Sequence, residues 1–582
     1  MSSAPHTTSQ ATQVNAARAV VDALLRCGIT VGFGIPSIHN IALYDALRQE
    51  PDFRHWIVRH EQAAVFAADG FYRSSGQTAA VFASTGPGNL FTVAPLLESF
   101  QTNTPLVLIG TNVASQVLGK TCGALHETPQ QLEIIKPLTR FATRISSPDD
   151  ISHAIAAAAS AGGPAFVEIP HDLLLAPLNL PEGRLHPEKP ETLPFPEELT
   201  KATEQIEQSR KPVLVIGSDV EPARGHERSR SAGEWESAGE IPAQPWIGAE
   251  ATASVQKLAE ILQSPIITTT SGKGAIADDH PLAMGCISRL GVAQELLLES
   301  DLLISVGARF TEFDTGRYTL KVPSPYVQIE RDLNHVGLQF PFTARLIGDI
   351  GAIARNLAAA LHSKPGWWDV ARKRSEENEK LKALRSEACE LLLLLRSALD
   401  REDIVANDQS ILNYWASAFF PVLAPRSWLY PTGSGTLGYA LPAAIGAACA
   451  AQQYGRRARV VCIAGDGGFQ YTAHELATLA HYQLPVKILL VNDNAYGIIG
   501  FLQRTMFGHT HEIALKNPDF CVLAEAHGIA AQRVSDFDSL RRQLPVWLNS
   551  PGPALLEWRT ELKAPWEVGA INRPTNLPTK TG

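Results

Sequence analysis

The sequence predicts an α/β protein of three domains, each built on a doubly wound parallel sheet. The chain has 582 residues, which is too long for one hydrophobic core, and 45% of them are hydrophobic. Short apolar β-like runs alternate with helical runs, a pattern typical of parallel sheets with helices on both faces. A Pro-rich connector, LNLPEGRLHPEKPETLPFPEE, separates the first two α/β segments.

The first domain is predicted over residues 12–185 and the second over residues 196–360. In the first, Ala16 to Cys27 has the pattern of an amphipathic helix, and TVGFGIP, AAVFAST and PLVLIGT have the composition of strands. In the second, the predicted strands are PVLVIG, PIITTT, DLLISVG and YVQIE. Residues 221–246 are polar, so we expect a solvated insertion there, with a functional lid as the alternative.

The third domain is predicted over residues 400–582, ending in a Pro/Thr-rich tail. Residues 366–399 precede it and predict one long linker helix. No internal repeat is visible along the sequence. The sequence therefore shows no similarity between the three predicted sheet domains.

Charge and cysteine content exclude several classes of function. The net charge is −9 and no basic run occurs, which argues against a nucleic-acid or anionic-membrane surface. We find no apolar run of about 18 residues and no apolar signal core, so we expect a cytoplasmic protein. The seven cysteines are scattered without a CxxC pair, which favours reduced thiols over disulfides or a zinc site.

Two acidic residues follow two consecutive strand-like runs of the third domain. Asp466 lies in a Gly-Asp-Gly-Gly turn after VVCIA, and Asp493 lies in VNDNA after VKILLV. Residues 472–482 between them predict a helix. The carboxyl ends of parallel strands meet at one crevice, and oxygen ligands beside glycine backbone suit a magnesium ion and a diphosphate. The alternative is a Rossmann-like turn whose acids are unrelated.

The spacing of these motifs resembles the diphosphate signature of thiamine diphosphate (ThDP) enzymes. The resemblance implies that Asp466, Asp493 and the backbone carbonyl of Ala495 hold a magnesium ion. Most relatives carry Asn where this chain has Asp493, whereas the catabolic acetolactate synthases carry Asp. A second anionic ligand should bind magnesium more tightly at neutral pH and release it sooner on acidification.

Glu61 is the candidate catalytic carboxylate. It lies between the strand-like run HWIVR and the helical run AAVFAADGFY. The string HEQAA resembles the family motif whose glutamate hydrogen-bonds the pyrimidine ring of ThDP and makes its amino group basic, a role that requires a raised pKa. From the residues alone, Glu61 could equally be a first-turn acid that stabilises a helix N-terminus.

Further strings resemble the segments that hold the cofactor in this family. Leu437 lies in GSGTLGYALP, where the family places an apolar residue that bends ThDP into a V; a packed core leucine is the alternative. Ser410 lies in NDQS, which is also a good helix cap. The full set of cofactor-binding residues implied by the resemblance is Glu61, Gly86, Pro87, Asn89, Ser410, Gly435, Leu437, Gly465, Gly467, Gly468 and Tyr496.

The resemblance also implies subunit sharing. Glu61 and Asp466 lie in different predicted domains, and in this family the cofactor bridges the pyrimidine-binding domain of one subunit and the diphosphate-binding domain of another. We therefore expect a homodimer or homotetramer with shared active sites.

The resemblance spans nearly all of residues 12–562 and has the domain order of acetolactate synthases and 2-oxo acid decarboxylases. It implies decarboxylation of a 2-oxo acid to an enamine. Protonation then gives an aldehyde, or carboligation to a second carbonyl compound gives a hydroxy ketone or 2-acetolactate. The enzyme would be a lyase in the first case and a transferase in the second.

Three departures weaken the reading as an anabolic acetolactate synthase. That enzyme's Gln-His pair is Ile411-Leu412 here, its Phe-Gln-Glu is residues 125–127 (Leu-His-Glu), and its selective Trp aligns with Leu502. By contrast, FGIPSIHNIALYDAL and LHETPQQ resemble the 5-guanidino-2-oxopentanoate decarboxylases.

Within those strings, His39 and His126 are candidate catalytic residues, because imidazole titrates near neutral pH and could supply a proton. Each could instead be a hydrogen-bonded histidine at a helix start. A guanidinium substrate would need a pocket acid, for which Glu98 and Glu127 are possible, so the substrate stays open. A non-catalytic homologue that acts as a binding subunit is a further alternative, although Glu61 and Asp466 are both present. FAD is possible but not indicated.

Overall fold

The computed structural model describes residues 13–179, 193–220 and 249–571. The chain divides into two compact units: one holds most of residues 1–188 and the other most of residues 189–582. The predicted insertion at 221–246, most of the Pro-rich connector and the end of the tail lie outside the described residues. Within the described residues, none of the helices combines the length and apolarity needed to span a bilayer.

The N-terminal domain (residues 13–179) is built on a six-stranded sheet. Its elements are β1 (Gln13–Asn15), α1 (Ala16–Arg26), β2 (Val31–Gly34), α2 (Ile41–Arg48), β3 (Arg54–Ile57), α3 (Glu61–Ser75), β4 (Ala79–Ala83), α4 (Pro87–Leu90), α5 (Val93–Gln101), β5 (Leu106–Asn112), α6 (Gln131–Ile135), β6 (Phe141–Arg144), α7 (Ile151–Ala159), β7 (Pro164–Pro170) and β8 (Pro177–Asn179). The strand order is β3-β2-β4-β5-β7-β6, every neighbouring pair is parallel, and β1 pairs with β8 separately. Every residue of β4, β5 and β7 is buried, as expected for strands covered on both faces.

The central domain (residues 196–360) has a second parallel sheet. Its elements are α8 (Pro196–Gln208), β9 (Pro212–Ile216), α9 (Ala249–Leu262), β10 (Ile266–Thr268), β11 (Ala283–Cys286), α10 (Leu290–Glu299), β12 (Leu302–Val306), β13 (Tyr326–Glu330), β14 (Ala344–Ile347) and α11 (Ile350–Ala360). The strand order is β11-β10-β9-β12-β13-β14. All four strands predicted in this domain are present.

The linker between the central and C-terminal domains is two helices, so the prediction of one long helix over 366–399 was wrong. The helices are α12 (Val370–Ala383) and α13 (Glu387–Ala398). Arg385 takes a left-handed backbone with φ 48°, which ends α12. Ser386 then precedes α13, whose first turn carries two acids. α12 is mostly charged and buries Val370 alone, so no apolar periodicity marks where this helix ends.

The C-terminal domain (residues 400–571) has the third parallel sheet. Its elements are β15 (Ile404–Asn407), α14 (Ile411–Phe419), β16 (Trp428–Leu429), α15 (Ala440–Gln453), β17 (Val460–Gly465), α16 (Asp466–Gln470), α17 (Leu476–Tyr482), β18 (Val486–Asn492), α18 (Gly497–Phe507), α19 (Phe520–Ala526), β19 (Ala530–Val534), α20 (Phe537–Leu548) and β20 (Ala554–Arg559). The strand order is β16-β15-β17-β18-β20-β19. The helix predicted over 472–482 is a 3₁₀ turn at Ala473–Glu475 followed by α17, and α16 begins at the Gly-Asp-Gly-Gly turn itself.

The N-terminal and C-terminal sheets share one topology. When the six strands of each sheet are numbered in chain order, both read 2-1-3-4-6-5, whereas the central sheet reads 3-2-1-4-5-6. In the shared order, the chain direction along the sheet reverses between the first and third strands. Ligands of open α/β sheets bind at such a reversal, outside the carboxyl ends of the strands. The structure thus shows a repeat of topology that the sequence does not display.

Candidate active site

The two predicted metal ligands lie together in the C-terminal domain. β17 and β18 are adjacent and parallel, so Asp466 and Asp493, which follow them, meet at one sheet edge. Burial and the charge of Asp466 raise the pKa of Asp493 to about 7. Burial also raises the pKa of Asp466. The hydrogen bonds of Asp466 with Asn517 and Asp493 act in the opposite direction and lower that pKa. Asp466 thus opposes the ionisation of Asp493, and a bound cation would relieve that repulsion.

Asn517 belongs to this site, although sequence reasoning missed it. Its side-chain Nδ2 donates to Asp466 Oδ2 at 2.6 Å. The segment that carries Asn517 pairs with the turn after β18, because the Leu515 N–H donates to the Asn494 carbonyl at 2.7 Å. Asn517 follows α18 in the chain, whereas Asp493 precedes it, so no local sequence motif linked the two residues.

The turn after β18 is shaped around the Asp493 carboxylate. The Ala495 N–H donates to Asp493 Oδ1 at 3.1 Å. A Cβ on Gly497 would lie 2.4 Å from Asp493 Oδ2, so only glycine lets α18 begin this close to the acid. The structure therefore places Ala495 beside Asp493, and its carbonyl as a metal ligand stays a prediction.

An open cavity of about 390 Å³ lies beside the Gly-Asp-Gly-Gly turn. Predicted residues Gly467 and Tyr496 line it, and the Tyr496 ring packs against Gly467, with 2.8 Å from ring carbon Cε1 to a Cβ placed there. Lys516 also lines the cavity and brings a positive charge that sequence reasoning did not assign. A cation and helix-opening amide groups suit an anionic ligand.

Asp408 is a second residue that the sequence analysis passed over. Its buried carboxylate accepts the N–H of Gly438 at 3.0 Å and that of Ala440 at 3.3 Å. Burial outweighs these hydrogen bonds and raises the pKa of Asp408 to about 6. Asp408 therefore fixes the start of α15, immediately after the predicted Leu437, and its position in NDQS beside a strand end was the available signal.

The other predicted residues of this domain are placed less informatively. The Ser410 hydroxyl caps α14 by accepting the Asn413 N–H at 3.3 Å, so the capping alternative is present in the structure. Gly435 has φ 65° and Leu437 is half-buried. Gly465 ends β17, and a Cβ on Gly468 would lie 2.9 Å from Asp408 Oδ1. Their contacts with a cofactor stay predictions.

Glu61 opens α3 at the carboxyl edge of the N-terminal sheet. Two glycines of the turn after β4 link it to the loop of His126. A Cβ on Gly88 would lie 3.1 Å from Glu61 Oε1. Gly86 has φ 63°, and a Cβ there would lie 2.2 Å from the His126 carbonyl oxygen. Only glycine fits at Gly86, and the turn is held between the acid and the histidine loop.

Asn89 of this turn faces the sheet, whereas Pro87 is exposed. Asn89 is fully buried and donates its side-chain Nδ2 to the Thr111 carbonyl at 2.8 Å. Pro87 occupies the first position of the short helix α4, where its missing N–H costs nothing. Asn89 thus anchors the turn to β5, and its contact with a cofactor stays a prediction.

Three histidine rings meet at the same edge of the N-terminal sheet. The His39 ring centroid lies 5.1 Å from that of His126 and 5.1 Å from that of His171. His171 follows β7 and was not among the predicted residues, because nothing in EIPHD marks it. Burial lowers the pKa of His39, and the neighbouring His171 and His126 lower it further. The packing of the other two rings against His39 therefore disfavours its charged form.

The two candidate acids for a cationic substrate are both occupied within the fold. Glu98 is fully buried on α5. Glu127 accepts the backbone N–H of Gly123 at 2.8 Å and that of Ala124 at 3.2 Å, within its own loop. The structure thus favours neither Glu98 nor Glu127 as the partner of a guanidinium group.

Comparison with known proteins identifies the domains. Residues 14–134 match the thiamine pyrophosphate enzyme N-terminal TPP binding domain, residues 245–357 match the central domain, and residues 408–558 match the C-terminal TPP binding domain. Thiamine pyrophosphate is another name for ThDP.

Full-length relatives agree with the domain matches. The chain is 32% identical to the "Probable 2-ketoarginine decarboxylase AruI" of Pseudomonas aeruginosa, over 94% of each chain. It is 29% identical to the "Probable acetolactate synthase large subunit" of Methanocaldococcus jannaschii, over 93% of this chain and 91% of the relative. It is 29% identical to the "Acetolactate synthase isozyme 2 large subunit" of Escherichia coli, over 96% and 98%. The three sheets, in their order along the chain, and these matches together place the protein in the thiamine pyrophosphate enzyme family.

Proposed function

We propose that the protein binds ThDP and Mg²⁺ and decarboxylates a 2-oxo acid, releasing an aldehyde. The observation that carries the proposal is the division of side chains between the two sheets of like topology. The C-terminal sheet presents paired carboxylates that fit a cation, and the N-terminal sheet presents Glu61 and a cluster of imidazoles at its carboxyl edge.

The residues present fit the cofactor. Asp466 and Asp493, with the Ala495 carbonyl, would hold the magnesium ion. The Gly-Asp-Gly-Gly turn at the start of α16 would contact the diphosphate, and so would the Lys516 side chain. Glu61 would hydrogen-bond the pyrimidine ring, and Leu437 would support the bent cofactor. When bound, ThDP supplies the electron sink for decarboxylation.

The histidines favour the aldehyde as the product. Decarboxylation to an aldehyde requires a proton at the carbon that has lost carbon dioxide. His39 and His126 are the candidates to donate it, since imidazole is the side chain used most often in general acid catalysis. His171 packs against His39 and would bias where the proton resides. The 2-ketoarginine decarboxylase named among the relatives makes 2-ketoarginine the first substrate to test.

An acetolactate synthase-type carboligase, which converts pyruvate to 2-acetolactate, is the second candidate. The relatives with that printed name support it. Against it stand Ile411-Leu412, His126 and Leu502, which replace side chains of the anabolic synthases.

A panel of 2-oxo acids tests the proposal. The purified protein with ThDP and Mg²⁺ is assayed for carbon dioxide, aldehyde and acetoin-type products. Aldehyde from 2-ketoarginine or another 2-oxo acid supports the decarboxylase, and 2-acetolactate from pyruvate supports the carboligase. No carbon dioxide from any acid would count against both. Visible absorbance of the purified protein shows whether a flavin is bound.

A further inference from the structure

A buried glutamate stands at equivalent positions in the N-terminal and C-terminal sheets, each held by an arginine and an asparagine. In the N-terminal sheet these residues are Glu168, Arg144 and Asn112. In the C-terminal sheet they are Glu557, Arg533 and Asn492. We call each of these sets of one glutamate, one arginine and one asparagine a clamp.

The registers of the two sheets match residue for residue. Arg144 lies opposite Glu168, and Arg533 lies opposite Glu557. Asn112 lies opposite Pro170, two residues beyond Glu168, and Asn492 lies opposite Arg559, two residues beyond Glu557. The two clamps therefore occupy the same place on strands four, five and six of each sheet.

The hydrogen bonds from the asparagine and from the facing arginine also match, although Glu557 Oε1 accepts an additional bond from Arg559 Nε at 3.1 Å, where the N-terminal sheet has Pro170. Asn492 Nδ2 donates to Glu557 Oε1 at 2.7 Å, and Arg533 Nε donates to Glu557 Oε2 at 2.6 Å. In the N-terminal sheet, Asn112 Nδ2 donates to Glu168 Oε1 at 2.9 Å, and Arg144 Nε donates to Glu168 Oε2. Both carboxyl groups are fully buried, so each needs these partners.

A carboxylate only accepts hydrogen bonds, so it fixes which way the asparagine amide points. With its NH₂ group turned to Glu557, Asn492 must present Oδ1 to the turn, where it accepts the Asn494 N–H at 3.0 Å. Asn517 Nδ2 also reaches this oxygen, at 3.4 Å, while it donates to Asp466 at 2.6 Å. Asp493 lies between the two residues that this bond joins.

In the N-terminal sheet the same arrangement reaches a different loop. Gln131 Nε2 donates to Glu168 Oε1 at 2.8 Å, and Gln131 Oε1 accepts the Gly86 N–H at 2.8 Å. Gly86 belongs to the turn that contacts Glu61 through Gly88. Gln131 thus corresponds to Asn517, because each connects its clamp to the loop after the third strand.

We propose that Glu557 and Glu168 are positioning residues, the first for the metal-binding turn and the second for the turn that packs on Glu61. The inference rests on the proposed function for its kinetic part only. Neither glutamate is among the residues proposed to bind the cofactor or to donate the proton. Each sets the orientation of an amide that holds a functional loop.

The glutamine variants E557Q and E168Q test the proposal in the full-length protein. A glutamine side chain can donate as well as accept, so it no longer fixes the amide orientation. Amide hydrogen exchange should rise at residues 492–496 in E557Q and at residues 84–90 in E168Q, each without change at the other segment. E557Q should weaken Mg²⁺-dependent ThDP binding about 10- to 100-fold, as outer-sphere changes at metal sites do. E168Q should weaken that binding less than E557Q does and lower kcat by about tenfold or more.

The variant D403N is the matched control. Asp403 is a buried acid of the C-terminal domain that accepts Arg459 Nε at 2.7 Å, at the amino end of β15. D403N should alter neither exchange segment nor cofactor affinity. If E557Q and D403N behave alike, or if both glutamine variants loosen both segments, the proposal is wrong.

Two further results separate the possible failures. If E557Q does not fold, R533K keeps the charge and should weaken Mg²⁺-dependent binding less than R533M; equal binding in these two variants contradicts the proposal. If wild-type protein does not bind ThDP, the proposed function fails, and the exchange results still decide whether each clamp holds its loop.

Discussion

The N-terminal and C-terminal domains share a strand order and a clamp but present different chemistry at the same sheet edge. After the third strand, one carries the turn at 86–88 and the other carries Asp466. After the fourth strand, one carries the loop of His126 and the other carries Asp493. The difference teaches that the scaffold positions loops, while the side chains on the loops determine whether an edge binds a cation or moves a proton.

The largest expected effect comes from removing one acid in each domain. D466A should abolish Mg²⁺-dependent ThDP binding, because Asp493 and the Ala495 carbonyl are left to hold the ion with a single carboxylate. E61Q should retain that binding and lose turnover by about 100-fold or more, since it loses the group that hydrogen-bonds the pyrimidine ring. Calorimetry with ThDP and Mg²⁺, followed by a carbon dioxide assay, distinguishes the two.

Matched controls exist for both acids. Glu133 and Asp538 are exposed first-turn acids of α6 and α20. E133Q and D538A should behave as wild type. Retained turnover in E61Q would leave only the helix-stabilising reading for Glu61.

A mixing experiment extends the comparison to the assembly. If active sites combine the N-terminal domain of one subunit with the C-terminal domain of another, co-expressed E61Q and D466A chains form hybrids with one intact site. Turnover should then recover to about a quarter of the wild-type value for random pairing into dimers. Hybrids that remain inactive would contradict site sharing. Light scattering determines whether the assembly is a dimer or a tetramer.

The third prediction concerns pH and applies to the C-terminal edge only. Burial and Asp466 raise the pKa of Asp493 to about 7, so protons occupy it in the metal-free protein below that pH. Mg²⁺ must displace this proton, and its apparent affinity should fall about tenfold per pH unit below pH 7. D493N should bind Mg²⁺ more weakly at about pH 8 and vary less down to about pH 6. A wild-type affinity that does not change over this range would refute the prediction.

The smallest expected effects fall on the histidines of the N-terminal edge. H126Q should lower aldehyde formation by about tenfold and shift product toward acetoin-type compounds, because proton delivery slows. H171Q should shift the pH profile of kcat with a smaller loss. His153 is exposed on α7, so H153Q is the control. Unaltered partition in H126Q would indicate a structural role.

The sequence predicted most of the fold and part of the candidate active site. Three α/β domains, their strands and the adjacency of Asp466 and Asp493 follow from alternation and strand ends. The repeat of topology could not be read, because equivalent strands share burial but not residues. Asn517, Asp408, His171 and the clamps were missed for a related reason, since each reaches its partner across the sheet or from a distant loop.

The break of the linker at Arg385 shows the complementary failure. There α12 is mostly charged, and the left-handed backbone of Arg385 falls at a residue that no periodicity marks. Helix boundaries of this kind depend on which neighbouring surface each half must cover.

The contact between Gly86 and the His126 carbonyl has a consequence for motion. Because the two backbones are in direct contact, the loop at residues 113–130 cannot shift inward without displacing the turn at 86–88. That turn rests on the Glu61 carboxylate through Gly88. If residues 113–130 moved inward over a bound molecule, they would push the turn at 86–88 against the Glu61 carboxylate. Binding of a ligand at the histidines would therefore shift Glu61 at the same time.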